Sequence, residues 1–178
     1  MRLELLLAGL VAAAASGPAF TLKAPAGWSE ARLGPEDLGA GAWGAVYKSS
    51  PAARGGEDAS ITVIFYAAGN PHFKDAADYL ARQTEPLPVV PAGEETGPAV
   101  PAKLGALPGK TLWRTRPLGR PPEAVKRGAK LRAELTVAQA EGGFWVFTCA
   151  APSERFKRLR GAFDAARRSF ASTRPKGP

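Results

Sequence analysis

The chain contains one histidine and one cysteine, so the side chains that most often carry out nucleophilic or metal chemistry are scarce. A serine hydrolase would have to use His72 as its base, and a zinc site would have to combine His72 and Cys149 with carboxylates. We expect His72 to be exposed at the start of a helix and Cys149 to be a buried small side chain. The carboxylates Asp75, Asp78 and Glu85 lack the spacing of a calcium-binding loop. The sequence therefore predicts no catalytic residue, no metal site and no cofactor.

A glycine-rich stretch satisfies the G-x-G-x-x-G pattern with Gly39, Gly41 and Gly44. In dinucleotide-binding proteins this loop follows a strand and opens a helix. Here the next residues, 45–47, continue as a strand pattern. We therefore interpret the match as coincidental.

Trp113 lies beside Arg114 and Arg116, and a ring flanked by charge is an arrangement that single-stranded nucleic-acid binders use. The pattern also fits a core tryptophan with arginines at the edge of a strand, which is our prediction. We expect no nucleic-acid partner.

Arginine is most concentrated in a helix predicted to begin after Pro152. Ser153 is suited to cap its N-terminus, and Glu154 suits the positive end of the helix dipole. Helical spacing predicts a buried stripe of Phe156, Leu159, Phe163, Ala166 and Phe170. The candidate interaction surface consists of the arginines Arg155, Arg158, Arg160 and Arg167.

The two halves of the chain differ in charge. Residues 20–102 carry 6 basic and 10 acidic side chains, a net of −4, whereas residues 103–178 carry 17 basic and 5 acidic, a net of +12. Such asymmetry can mark an anionic partner. The alternative is a solvated arginine-rich surface, because the basic residues are dispersed over strands, loops and a helix.

A β-hairpin precedes the basic helix. Residues 130–137 alternate apolar and polar side chains, as a strand with one covered face does, and Glu141, Gly142 and Gly143 form a short turn. The returning strand, residues 144–151, is apolar on both faces, which predicts a central strand covered above and below. We therefore expect an α+β fold, an antiparallel sheet with helices on both faces in an α/β/α sandwich.

The residues upstream supply more of the same sheet. A short strand followed by a turn is predicted at residues 20–28, and further strands are predicted at residues 29–33, 42–48, 60–67 and 110–116. Asn70 and Pro71 suit the N-cap and first position of a helix that runs to about Gln83, with Phe73, Ala76, Ala77 and Leu80 on one face. Loops are predicted at residues 50–58 and 117–128. A Pro-rich loop at about 85–105 is expected to be a flap or a surface-wrapping segment.

The N-terminus reads as a secretory signal peptide over residues 1–19. Arg2 precedes an apolar run at residues 5–15, and small residues follow, with cleavage expected after Ala15 or Ala19. The run is too short to span a bilayer, so no membrane span is expected after cleavage. Residues 20–174 would then form a single, monomeric domain, exported to the periplasm or the extracellular space of a bacterium.

Two stretches of this predicted domain resemble the PsbP-like superfamily, which includes PsbP, the Ran-binding Mog protein and DcrB-like bacterial exported proteins. One is the opening Phe20-x-Leu22-x-x-Pro25-x-Gly27-Trp28, and the other is residues 143–152 with the closing Ser169-Phe170. The resemblance implies an antiparallel sheet between helices and a non-enzymatic binding or assembly role. No residues match the photosystem-docking segment or the Ran-binding surface, so no particular partner is implied.

Three functional hypotheses follow. The first is an exported binding or assembly protein of PsbP-like type, whose partner is an unknown protein and whose surface is the basic helix. The second is electrostatic binding to an anionic envelope polymer or membrane surface through the basic half, which weakens steeply with salt. The third is an enzyme, which would need a deep pocket with converging polar groups.

Overall fold

The computed structural model describes residues 17–49, 59–85, 93–118 and 129–173. Ten strands and three helices lie within these ranges. In chain order they are β1 Phe20–Thr21, β2 Ser29–Leu33, α1 Pro35–Leu38, β3 Ala42–Lys48, β4 Ser60–Ala67, α2 Ala76–Thr84, β5 Glu95–Thr96, β6 Val100–Leu104, β7 Leu107–Pro117, β8 Lys130–Ala140, β9 Gly143–Pro152, α3 Ser153–Ser169 and β10 Ala171–Ser172.

Eight of these strands form one antiparallel sheet in the order β2-β3-β4-β9-β8-β7-β5, with β6 also paired to β7. The predicted hairpin supplies β8 and β9, and β9 lies between β8 and β4 in the middle of the sheet. Gly142, in the hairpin turn, has φ of 73°, a conformation that glycine adopts without steric cost.

Both faces of β9 are buried, as its apolar sequence predicts. Phe144 and Val146 pack into a cluster under α2, whereas Trp145 and Phe147 pack into a second cluster under α3. A strand that contributes large side chains to both clusters must be covered on both sides. The expected α+β sandwich, an antiparallel sheet with helices on both faces, is therefore confirmed.

Helix α3 covers one face with the stripe that its sequence predicts. Phe156, Phe163 and Ala166 are buried, as is Phe170 just after the helix, while Leu159 is partly buried against the same cluster. The predicted N-cap is wrong by one residue. Ser153 is already helical, and its hydroxyl donates a hydrogen bond to the carbonyl of Lys130 (3.0 Å), so it ties the helix to β8.

Helix α2 covers part of the opposite face and starts later than predicted. The Asn70 side-chain oxygen accepts hydrogen bonds from the amides of His72 (2.8 Å) and Phe73 (3.2 Å), which makes a local turn. The helix begins at Ala76, where the side chain of Asp75 accepts a hydrogen bond from the Asp78 amide (2.8 Å) and acts as the N-cap. The observed helix therefore begins later than the one predicted over residues 70–83.

The two ends of the described chain pair with each other. Strands β1 and β10 form a separate two-stranded sheet, and Phe20 stacks on Phe170 with ring centroids 5.9 Å apart. Phe20 also meets Trp145 of β9 edge-on at 5.3 Å. The N-terminal and C-terminal stretches that carry the family resemblance therefore pack together beside α3.

The Pro-rich stretch differs from its prediction as a loop over residues 85–105. Its last part forms β5 and β6, which lie one after the other along the same edge of β7, each paired to it, and extend the sheet. Proline is tolerated on an edge strand, because an edge strand needs hydrogen bonds on one side only. Residues 86–92 of that stretch lie outside the described residues, as do the predicted loop at 50–58, most of the one at 117–128, and residues 1–16 of the predicted signal peptide.

In the part of the chain that the structure describes, no helix combines the length and the apolar character needed to cross a membrane.

Candidate functional site

The four arginines of the predicted surface do not lie together. Arg155 donates a hydrogen bond to the Ser49 hydroxyl (2.9 Å), which directs it toward the end of β3. Arg167 pairs with Asp164 (3.0 Å) on the other flank of α3. Arg158 and Arg160 are exposed, but positions two apart on a helix point about 160° away from each other. The helix therefore presents its arginines to different surroundings.

A groove forms where the first two turns of α3 pass over β8. It has a volume of about 420 Å³ and is lined by Arg132, Ser153, Phe156, Lys157 and Arg160. Positions 153, 156, 157 and 160 recur at helical spacing, so their side chains project toward the same side of α3. Of the four predicted arginines, this groove includes Arg160 alone.

Arg132 forms the floor of the groove, and its position is fixed by packing. Its guanidinium carbon lies 5.0 Å from the ring centroid of Trp113 and 5.5 Å from that of Phe156. Its nitrogen also donates to a carboxylate oxygen of Glu134 at 2.9 Å. Contacts to two rings and a carboxylate leave this cation little freedom to move.

The other two cations are less restrained. Lys157 pairs with Glu154 at 2.8 Å, but the side chains are 72% and 78% exposed, so this ion pair contributes little stability. The hydrogen bond and positive charge of Lys157 hold the pKa of the Glu154 carboxyl below its ordinary value. Arg160 is exposed and has no hydrogen-bond or ion-pair partner among the described residues. Both can therefore turn toward a ligand.

The chemistry that these groups support is the binding of an anion. One fixed guanidinium, two mobile cations and the Ser153 hydroxyl surround the groove. A carboxylate, phosphate or sulfate group would be bound by charge-assisted hydrogen bonds from the cations. Two carboxylates lie next to these cations and are already engaged: Glu134 accepts a hydrogen bond from Arg132, and Glu154 accepts one from Lys157.

The residues with nucleophilic potential lie elsewhere. Cys149 is 3% exposed, and burial raises the pKa of its thiol well above the ordinary value, so the thiolate form is disfavoured. His72 is exposed, as expected, but it lies in the turn before α2 rather than in the helix. Within the described ranges, no group of three or more His, Cys, Asp or Glu side chains is arranged to hold a metal ion.

Several residues of the groove were not among the sequence candidates, namely Arg132, Ser153, Lys157 and the adjacent Trp113. The alternation of β8 places Arg132 on the same face as Thr136, which is the face that α3 covers. That signal could have found Arg132, but only with the knowledge of which strand passes beneath α3.

The arginines next to Trp113 in sequence are not its partners in space. Trp113 is half-buried, and the cation over its ring comes from β8. Arg114 points to the opposite face of the sheet, where it donates hydrogen bonds to the side-chain oxygen of Gln83 (2.9 Å) and to its carbonyl. The prediction of a core tryptophan with edge arginines therefore holds only in part.

Solved structures of other proteins share the fold of this chain. No protein-family model matches the sequence, and no curated protein matches it. Among solved structures, LpqN, involved in cell envelope biogenesis of Mycobacterium tuberculosis, matches with a TM-score of 0.53 and 17% identity over 88% of this chain and 84% of LpqN. PA94, a protein of unknown function from Pseudomonas aeruginosa, matches with a TM-score of 0.50 and 17% identity over 74% and 83% of the two chains.

The cyanobacterial PsbP of Synechocystis also matches, with a TM-score of 0.47 and 15% identity over 86% of each chain. LpqN and PA94 have PsbP-like folds, and at 17% identity their likeness concerns the fold alone. The PsbP-like fold expected from the two ends of the domain is therefore confirmed.

Proposed function

We propose that this is an exported, non-enzymatic binding protein of the cell envelope, which holds an anionic group of its partner in the groove between α3 and β8. The observation that carries the proposal is the convergence of Arg132, Lys157 and Arg160 on one groove. Arg132 comes from β8, and Lys157 and Arg160 come from α3, more than 20 residues further along the chain, so the fold itself brings these cations together.

Two features of the groove favour a specific site over diffuse attraction by a basic surface. Arg132 lies between Trp113 and Phe156 and is held in place before any ligand arrives, which lowers the entropic cost of binding. The groove is also concave, so it can surround an anionic group that projects from a partner.

Charge and compartment support the same proposal. The net charge of +12 over residues 103–178, which contain all the cations of the groove, would steer anionic partners toward this half of the molecule. The signal-like residues 1–19 support export, and LpqN, which shares the fold, is involved in cell envelope biogenesis. The burial of Cys149, which disfavours its thiolate, supports a binding role rather than thiol catalysis.

The experiment compares two single charge reversals on α3. Arg160→Glu changes a cation of the groove, and Arg158→Glu makes the same change on an exposed residue that points away from it. Affinity for heparin, a polyanionic probe, is measured by titration calorimetry at several salt concentrations. An exposed ion pair contributes about 0.2–1 kcal/mol, so replacing attraction with repulsion at Arg160 should weaken binding roughly tenfold.

The control should stay within about twofold of the unsubstituted protein, because charge on the far side of the helix is screened within roughly 10 Å at 0.1 M salt. Binding should also weaken as salt increases. Equal losses in the two variants would place the anion outside the groove. Failure of the unsubstituted protein to bind heparin, or binding that ignores salt, would overturn the proposal.

A further inference from the structure

A larger cavity lies on the opposite face of the sheet, between α2 and strands β7 and β8. Its volume is about 710 Å³, within the range of small-molecule sites. Helix α2 contributes a row of small or aliphatic side chains, Ala76, Ala77, Leu80 and Ala81, and the sheet contributes Pro108 and Val137. We call this cavity the α2 cleft.

The cleft exists because α2 is too narrow for the face that it covers. A helix about 10 Å across covers about two strands spaced about 4.8 Å apart, and α2 packs on β8 and β9. Its large aromatic residue, Tyr79, packs on the ring of Phe144 in β9, with Phe73 beside it at 4.8 Å. The side of α2 that faces β7 carries alanines, which leave the space open.

Charge at the cleft is arranged for an anion at its rim. Lys110 lines the cleft, is exposed, and has no hydrogen-bond or ion-pair partner among the described residues. Lys103 of β6 lies directly across from Pro108 of β7, so its side chain is on the same face of the sheet as Pro108 and Lys110. The acidic residue of the cleft is Asp75, whose carboxylate already accepts the hydrogen bond that caps α2.

We propose that the α2 cleft binds a single aliphatic chain that ends in an anionic head group, of which a fatty acid is the simplest example. The aliphatic chain would lie along the alanines and Leu80, and the carboxylate would meet the ammonium group of Lys110. The lining favours an aliphatic over an aromatic ligand, because the aromatic side chains of this face pack behind α2 and the walls are mostly alanine, leucine, proline and valine, with Thr84 and Gln139 as further polar members. Helix α2 is nine residues long, so the cleft extends over about 13 Å.

The cleft and the basic groove occupy opposite faces of the sheet, so this ligand site is separate from the proposed anion site beside α3. Its test does not depend on the outcome of the heparin experiment.

The experiment measures binding of dodecanoate to the full chain by titration calorimetry, below the concentration at which the ligand forms micelles. Dodecyl maltoside supplies the same chain with a neutral head, and acetate supplies the head without the chain. We expect saturable binding of one dodecanoate per chain, weaker binding of dodecyl maltoside and none of acetate.

Two variants locate the site. Filling the cleft with Ala77→Leu and Ala81→Leu should weaken dodecanoate binding at least about tenfold, whereas Ala165→Leu on the exposed side of α3 adds the same side chain elsewhere and should change little. Lys110→Gln should weaken dodecanoate about fivefold and leave dodecyl maltoside unaffected. Since Lys110 is exposed, this variant tests the head-group contact even where the double substitution disturbs folding.

Absence of saturable dodecanoate binding would overturn the proposal. Dodecanoate binding that survives in the folded, filled variant would also overturn it, because the ligand would then lie outside the cleft. Loss of affinity for dodecanoate and dodecyl maltoside alike on Lys110→Gln would contradict the assigned head-group contact.

Discussion

Single side chains give the basic groove both a fixed and an adjustable part. Arg132 lies against two aromatic rings and Glu134, so its charge is in place before binding. Arg160 and Lys157 are exposed and lose rotamer freedom only when a ligand arrives. We expect the fixed cation to set where the anion is bound and the exposed cations to add most of the salt-dependent attraction.

Tyr79 gives a prediction for alkaline pH. Burial, together with the negative charge that ionised Tyr66 would add, raises the pKa of Tyr79 to about 12. The folded state then holds this proton over a pH range in which the unfolded state, with a pKa near 10, has lost it. Stability from this group is complete below pH 10 and falls by about 2–3 kcal/mol as pH rises to 12.

Urea unfolding, carried out at several pH values between 9 and 12 and below the onset of alkaline unfolding, measures this decline in stability. Tyr79→Phe should flatten the profile, since it removes the titrating hydroxyl and keeps the ring. An equal decline in both proteins would contradict the assignment to Tyr79.

The helices show how local sequence sets an element's bounds. Helix α2 begins where the Asp75 carboxylate accepts a hydrogen bond from the Asp78 amide. In the sequence, Asn70 followed by Pro71 resembles a helix start equally well. Asn70, which is itself buried, instead closes a turn, and its side-chain amide donates a hydrogen bond to the carbonyl of Ala40 at 2.8 Å. The tertiary contact decides between the two starts, and it is invisible in the local pattern.

Asp75→Ala should cost about 0.5–2 kcal/mol of stability, the usual effect of losing an N-cap. Hydrogen exchange at the Asp78 amide should become faster, because that amide loses its acceptor. Asn70→Ala, the matched change at the other candidate start, should leave exchange at Asp78 nearly unchanged. Faster exchange at Asp78 in the Asn70 variant alone would contradict the observed helix start.

Phe163 tests how α3 is held to the sheet. Its ring is buried, with centroids 4.9 Å from Phe156 and 6.1 Å from Trp28. Phe163→Ala should destabilise the protein by about 3–5 kcal/mol, since it removes core contacts and leaves a cavity. Urea unfolding measures the loss, and Arg158→Ala on the exposed side should stay within about 0.5 kcal/mol. An unchanged midpoint for Phe163→Ala would contradict the packing of α3.

For the molecule as a whole, the sequence predicted the middle of the fold better than its edges. Strands β4 and β9 are apolar on both faces and were predicted closely, because burial on two sides leaves a strong local pattern. Strands β5 and β6 lie in a Pro-rich stretch and were predicted as loop, because they depend on pairing with β7. Short edge strands take their structure from pairing with a neighbour, and a short stretch rich in proline does not show that pairing in its own pattern.

The candidate site was also predicted only where the local sequence carries the information. The basic character of α3 was evident in the sequence, and Arg160 belongs to the groove. The position of Arg132 depends on the passage of α3 over β8, and Arg155 turns toward Ser49 because β3 ends beside it. Sequence could therefore identify the charge of the region but not which cations converge.

The central claim is that the anion is bound by Arg132, Lys157 and Arg160 together. Its most direct test follows the arginine Nε and tryptophan indole N–H resonances of the isotope-labelled protein during titration with a heparin oligosaccharide. We expect the largest shifts at Arg132, Arg160 and the Trp113 indole, with Arg158 and Arg168 nearly unchanged, because the last two lie outside the groove. Shifts spread evenly over the exposed arginines, or centred on Arg158 and Arg168, would contradict the account.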